Sequence, residues 1–157
     1  MSKNGKIANI FLDERTVIRR SPQVEHDRKV AIYDLLEENV FEPADDITGP
    51  FEVHLSIEDN RLVFSVRNTS DVELVRFNLP LTPFRSIIKD YFLVCESYYK
   101  AIKSASPSQI EAIDMGRRGL HNEGADLLCE RLADKVTIDI DTARRLFTLI
   151  CVLHIRG

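Results

Sequence analysis

Hydrophobic and polar positions alternate most cleanly between Phe51 and Leu79. Phe51, Val53, Leu55 and Ile57 alternate with Glu52, His54, Ser56 and Glu58. After Asp59-Asn60 the chain returns with Leu62, Phe64 and Val66; a second turn spans Asn68 to Asp71, and Val75, Phe77 and Leu79 follow. A period of two puts successive side chains on opposite faces, so these runs predict three sequential antiparallel strands, one face packed and one wet. The packed face, carrying Phe51, Val53, Leu55, Phe64 and Phe77, needs a cover.

Beyond Leu79 the period changes. Phe84, Ile87, Ile88, Tyr91, Phe92, Cys95, Tyr98, Tyr99 and Ile102 recur at helical spacing after Thr82-Pro83, which predicts a helix over 82–104 lying on the sheet with its aromatic pairs in the core. Ser106-Pro107-Ser108-Gln109 is a capping box with proline at the first helical position, opening a helix over 106–132. A last helix, 142–155, is expected behind an Asp141 cap; it is apolar on nearly every side, which implies burial at the centre or cover by a partner. Upstream, residues 6–12 read as a short strand, and Ser21-Pro22 opens a helix with Ala31, Ile32, Leu35 and Leu36 as its apolar stripe. Residues 43–50 read as a loop and 135–140 as a further short strand. The expected fold class is α+β, with an antiparallel sheet of three or four strands under a layer of C-terminal helices, in a single domain over residues 1–157.

One segment breaks the apolar pattern. Residues 115–124, Met-Gly-Arg-Arg-Gly-Leu-His-Asn-Glu-Gly, hold three of the six glycines. Glycine permits positive φ or close approach, and two arginines can fork onto a carboxylate or phosphate, so a glycine-built nest with Arg117, Arg118, His121, Asn122 and Glu123 around an anion is the expected binding site. Arg144 and Arg145, in the first turn of the last helix, face the positive end of its dipole and are further candidate anion contacts. The plainer alternative is a kink or helix–helix turn whose arginines pair with Asp114 and Glu123, while Asp139 and Asp141 answer Arg144 and Arg145. The segment lacks the G-x-x-x-x-G-K-[ST] pattern of a phosphate-binding loop. A short likeness of 118–124 to guanidino kinases finds no support elsewhere in the chain.

Composition narrows the classes. The chain has 157 residues, 44% hydrophobic and 29% charged, with a formal net charge of −4. That argues against a nucleic-acid partner, although the pairs Arg19-Arg20, Arg117-Arg118 and Arg144-Arg145 allow a local basic patch. Cys95, Cys129 and Cys151 are odd in number and lie among apolar residues, pointing to buried thiols in a reducing, cytoplasmic setting. No apolar run is long enough to span a bilayer, and no export signal is expected. His26, His54, His121 and His154 lack metal-ligand spacing, so no metal or cofactor is expected. Cys95-Glu96, on an apolar helix, has no nucleophile signature around it.

Several stretches resemble a family of small alphaproteobacterial proteins, uncharacterised protein family 0262. They are residues 25–28 (Glu-His-Asp-Arg), 34–39 (Asp-Leu-Leu-Glu-Glu-Asn), 81–85 (Leu-Thr-Pro-Phe-Arg), 89–92 (Lys-Asp-Tyr-Phe), 106–124 and 141–147. The resemblance implies a bacterial cytoplasmic protein of about this length; it carries no assigned activity or site residues. The favoured function is a non-enzymatic regulatory or adaptor module recognising a partner protein or small anionic ligand through 114–124. One alternative is a small enzyme acting on a phosphorylated or carboxylate substrate, with His121 and Glu123 as acid and base. Another is a structural homodimer built on the last helix. A concave pocket holding Arg117 or Arg118 with His121 would favour the ligand or enzyme; a flat surface would favour the adaptor.

Overall fold

A computed structural model of the protein describes residues 4–14 and 21–154. The Arg19-Arg20 pair and the end of the last helix at Ile155 lie outside the described residues. In chain order the elements are β1 (Ile7–Leu12), α1 (Pro22–Glu37), β2 (Phe41–Pro43), β3 (Phe51–Glu58), β4 (Arg61–Arg67), β5 (Glu73–Pro80), α2 (Thr82–Ser104), α3 (Pro107–Leu132), β6 (Val136–Ile138) and α4 (Ile140–His154).

The meander forms as its alternation predicts. β3 pairs with β4 and β4 with β5, both antiparallel, with Leu55 opposite Phe64 and Phe64 opposite Phe77. Asp59 and Asn60 sit at φ 50° and 60°, the doubly left-handed turn that matches strand twist and suits Asx residues. The fourth strand joins differently: β1 lies parallel to β3 on its outer edge, so the sheet is mixed, in the order β1-β3-β4-β5. Buried Asn39 holds β1 in place, its Oδ1 accepting from the Ile7 N–H and its Nδ2 donating to the Ile7 and Leu35 carbonyls. A second, two-stranded sheet pairs β2 with β6, and β2 takes in Pro43, the first residue of the expected loop.

The cover is α4 rather than α2. The element order leaves α2 and α3 as an antiparallel pair, and α4 threads between α3, α1 and the sheet. The periodicity of α2 is real, but Phe84, Ile87 and Ile88 bury at its start while Leu93 and Ile102 stay exposed. α4 is apolar on nearly every side because it is buried on nearly every side: Ala143, Leu146, Phe147, Leu149 and Ile150 have no exposed surface. Among the described residues its apolar side chains are consumed inside the chain, Ile140 at its start excepted. Asp139, not Asp141, caps it, with Oδ1 accepting from the Thr142 N–H at 2.9 Å. The cap moves the helix start to Ile140, which puts Arg144 and Arg145 beyond the first turn, where the dipole acts.

The glycine segment is not a loop. α3 runs unbroken for 26 residues, and no described glycine has positive φ. Its start is fixed by the full capping box, Ser106 Oγ accepting from Gln109 N–H and Gln109 Oε1 from Ser106 N–H. The glycines cost roughly 1 kcal/mol each against alanine, and tertiary packing overrides that. They differ in kind: Gly116 and Gly119 face open space, whereas a Cβ on Gly124 would lie 2.3 Å from the Phe147 ring.

Core truncations and glycine replacements follow from this packing. Phe147→Ala should cost about 3–5 kcal/mol in a denaturant titration, and Phe92→Ala clearly less, because Phe92 and Phe77 are only half-buried instead of enclosed. Gly116→Ala and Gly119→Ala should each stabilise by roughly 0.5–1 kcal/mol, and Gly124→Ala should destabilise by about 1–3 kcal/mol. Equal effects at all three positions would show that the Gly124 contact does not constrain the core.

Candidate functional site

Four helices leave a cleft of about 310 Å³ among them, within the size range of small-molecule sites. α3 contributes Arg117, Arg118 and His121, which share a face at spacings of three and four residues. α4 contributes Arg144, Arg145 and Thr148; α1 contributes Asp27, Val30, Ala31 and Asp34, a stripe over two turns; Tyr91 comes from α2. Five of the seven residues expected from sequence therefore line one concavity. Asn122 stands behind it, its Oδ1 accepting from Arg144 Nε at 2.8 Å. Glu123 is exposed and outside the lining. Two residues of helix separate it from His121 by about 200° of rotation, so the two cannot act together as acid and base.

The arginines are committed to different degrees. Arg117 lies over the Tyr98 ring, 4.3 Å from its centroid, and its Nη2 meets Asp114 Oδ1 at 2.6 Å. Arg144 is held by Asn122 and, at 2.9 Å, by Asp141 Oδ1. Arg118 reaches the same Asp114 carboxylate at 3.2 Å, yet its side chain is 64% exposed. Arg145 touches the Glu38 carbonyl at 3.4 Å and has no carboxylate partner among the described residues. Since a guanidinium carries five N–H donors, Arg118 and Arg145 have most of theirs unspent.

His121 lies at the floor. Its ring packs 5.5 Å from Tyr91 and 5.7 Å from Phe147, centroid to centroid. Its Nε2 is 2.8 Å from Thr148 Oγ1, and the Thr148 hydroxyl donates to the Arg144 carbonyl at 3.2 Å. Where the hydroxyl gives its proton to that carbonyl, it accepts from Nε2–H and Nδ1 is the acceptor on the neutral ring. Burial pushes the His121 pKa below its ordinary value; the hydrogen bond to the Arg144 backbone opposes this, and the Arg144 and Arg117 charges reinforce it. On the opposite wall, Asp27 Oδ2 accepts from the Tyr99 hydroxyl at 2.7 Å, and the Tyr99 pKa is raised by burial and by that carboxylate. Sequence patterns missed Asp27 and Asp34 as cleft residues. Their seven-residue spacing around Val30 and Ala31 was the available signal: a polar pair two turns apart within an apolar stripe.

The model of the uncharacterised protein family (UPF0262) matches residues 4–156. The chain belongs to this family. The UPF0262 protein of Paramagnetospirillum magneticum is 60% identical over 157 residues, covering 100% of both chains. That of Rhizobium meliloti is 57% identical over 155 residues, 99% of this chain and 98% of its own. That of Rhodospirillum rubrum is 60% identical over 151 residues, 96% and 93% respectively. These relatives are alphaproteobacterial, as the sequence resemblance implies, and their names state no activity. No solved structure matches the chain. Among the described residues, no helix is long and apolar enough to cross a membrane, and no cluster of His, Cys, Asp and Glu could hold a metal.

The His121 environment has a pH signature. Folding lowers its pKa from 6.5, so the unfolded chain binds more protons and stability rises with pH through this range. The contribution is complete above the unfolded value and is lost as pH falls through the folded one. His54, also lowered chiefly by burial, adds a slope of the same sign. Between about pH 7.5 and 5.5, the melting temperature of His121→Gln should therefore fall less steeply than that of the wild type. Equal slopes, or an NMR titration of the His121 ring with a midpoint above that of a free histidine, would contradict the assignment.

Proposed function

We propose that this family member is a binding module for a small anionic ligand, a phosphate or carboxylate compound, held in the cleft between α1, α3 and α4. Arg118 and Arg145 are the principal contacts, with His121 at the floor; Arg117 and Arg144 form the positive walls, and Asn122 positions Arg144. The observation that carries this reading is Arg145: a partly buried residue on the cleft wall whose guanidinium has no carboxylate partner among the described residues. A bound oxyanion would supply that guanidinium with two parallel hydrogen bonds.

The concavity favours a small ligand over an adaptor surface. Binding is favoured over acid–base chemistry, because His121 Nε2 is engaged with Thr148 Oγ1 and Glu123 projects elsewhere. Arg117, locked to Asp114 and Tyr98, fits the plainer expectation of an internal pair, and in this reading it shapes the wall instead of gripping the ligand.

Arg118→Ala and Arg145→Ala should each change folding stability by less than about 1 kcal/mol, since neither makes a strong internal pair. Both should weaken binding of inorganic phosphate and succinate, followed by chemical-shift perturbation at the His121 and Thr148 amides. Raising ionic strength from about 0.05 to 0.5 M should weaken it in the wild type as well. Perturbations that survive both substitutions unchanged would sink the anion site.

A further inference from the structure

The cleft has two charged walls that do not meet. Asp27 and Asp34 project from α1, the arginines from α3 and α4, and among the described residues no ion pair joins one wall to the other. Each wall is balanced differently. On the basic side, Asp114 and Asp141 already answer part of the charge. On the acidic side, the Asp27 carboxylate takes the Tyr99 hydroxyl, and the Asp34 side chain makes no hydrogen bond among the described residues. A plain anion entering this space would gain Arg118 and Arg145 but would face two carboxylates, whose repulsion acts over about 8 Å at physiological salt.

We infer that the ligand is a small zwitterion: an oxyanion that pairs with Arg118 and Arg145, joined by a short aliphatic linker to an ammonium group that pairs with Asp34. This rests on the anion-binding reading and specifies its ligand. Val30 and Ala31 lie between Asp27 and Asp34 on the same helical stripe, giving the linker an apolar surface to cross. The ammonium neutralises the carboxylate that would otherwise repel the oxyanion, so both halves of the ligand are needed for full affinity. Neutral ligands and dications fail at the arginine wall. Plain anions bind more weakly, because the aspartate wall repels them.

The test uses matched pairs that differ by the ammonium alone: phosphoethanolamine against ethyl phosphate, and 4-aminobutyrate against butyrate, titrated into the full chain by calorimetry or NMR. In the wild type, the zwitterion of at least one pair should bind roughly tenfold tighter than its partner, the gain expected of one charged hydrogen bond. Asp34→Asn, nearly isosteric, should keep the wild-type melting temperature and erase that preference while leaving the plain anion bound as well or better. Arg118→Ala should weaken both members of a pair together. If ethyl phosphate and butyrate bind as tightly as their amino counterparts, the zwitterion inference is overturned and the anion site stands. If none of the four binds, both fall. A preference that persists in Asp34→Asn overturns the role given to that carboxylate.

Discussion

The contact on which the arrangement depends is the Phe147 ring of α4 seated on the bare backbone of Gly124 in α3. It lets two helices approach to a separation that a methyl group would prevent. The same ring meets Tyr91 at 5.9 Å and His121 at 5.7 Å, edge on in both cases. α4 is thereby locked at the centre, with α1 on one flank, α3 on the other and β3 beneath. Core and cleft are two sides of one wall: Leu146, Phe147 and Ile150 face inward, while Arg144, Arg145 and Thr148, on the same helix, face the concavity.

That wall explains how four guanidinium groups sit close together without disrupting the fold. Three of the four are supported according to their depth. Arg117, half-buried, has a carboxylate and an aromatic face; Arg144 has a carboxylate and an amide; Arg118, mostly exposed, shares the Asp114 carboxylate with Arg117. Water screens the last pair and weakens it. The aromatic floor does the reverse, since low-polarity surroundings strengthen any charge interaction made against it. The neutral state of His121 belongs to the same balance: a second cation beside Arg144 and Arg117, away from water, would be costly.

Sequence disclosed the local elements well and their assembly less well. The meander, both serine caps and all four helices follow from period and capping chemistry, which act within a few residues. The parallel docking of β1 and the β2–β6 pairing depend on contacts between residues 43 to 97 positions apart; of the two three-residue strands β6 was legible, and β2 carries too little pattern to stand out. The glycine segment misled in form, though Arg117, Arg118 and His121 of it line the cleft. Three glycines in ten residues read as a loop by propensity, but a full capping box and a buried far end keep α3 continuous, and one of the three is where α4 seats. The cleft arginines were legible because they are adjacent in sequence. The aspartates opposite were not, because a helix face becomes a cleft wall only once another helix is brought up against it.

The small β2–β6 sheet has a mechanical meaning. It joins the exit of α1 to the entrance of α4 by the Phe41–Ile138 pairing, reinforced by the Val40 N–H donating to Thr142 Oγ1 at 3.0 Å. These two helices carry the opposed walls of the cleft. Their ends are stitched by backbone hydrogen bonds, so the walls cannot swing apart like a hinged jaw, and the spacing between aspartates and arginines is set before anything enters. What remains free to move is the outer reach of Arg118 and Arg145. A guest would therefore meet a rigid vice with two soft fingertips, and the ordering that accompanies its capture would be confined to those side chains.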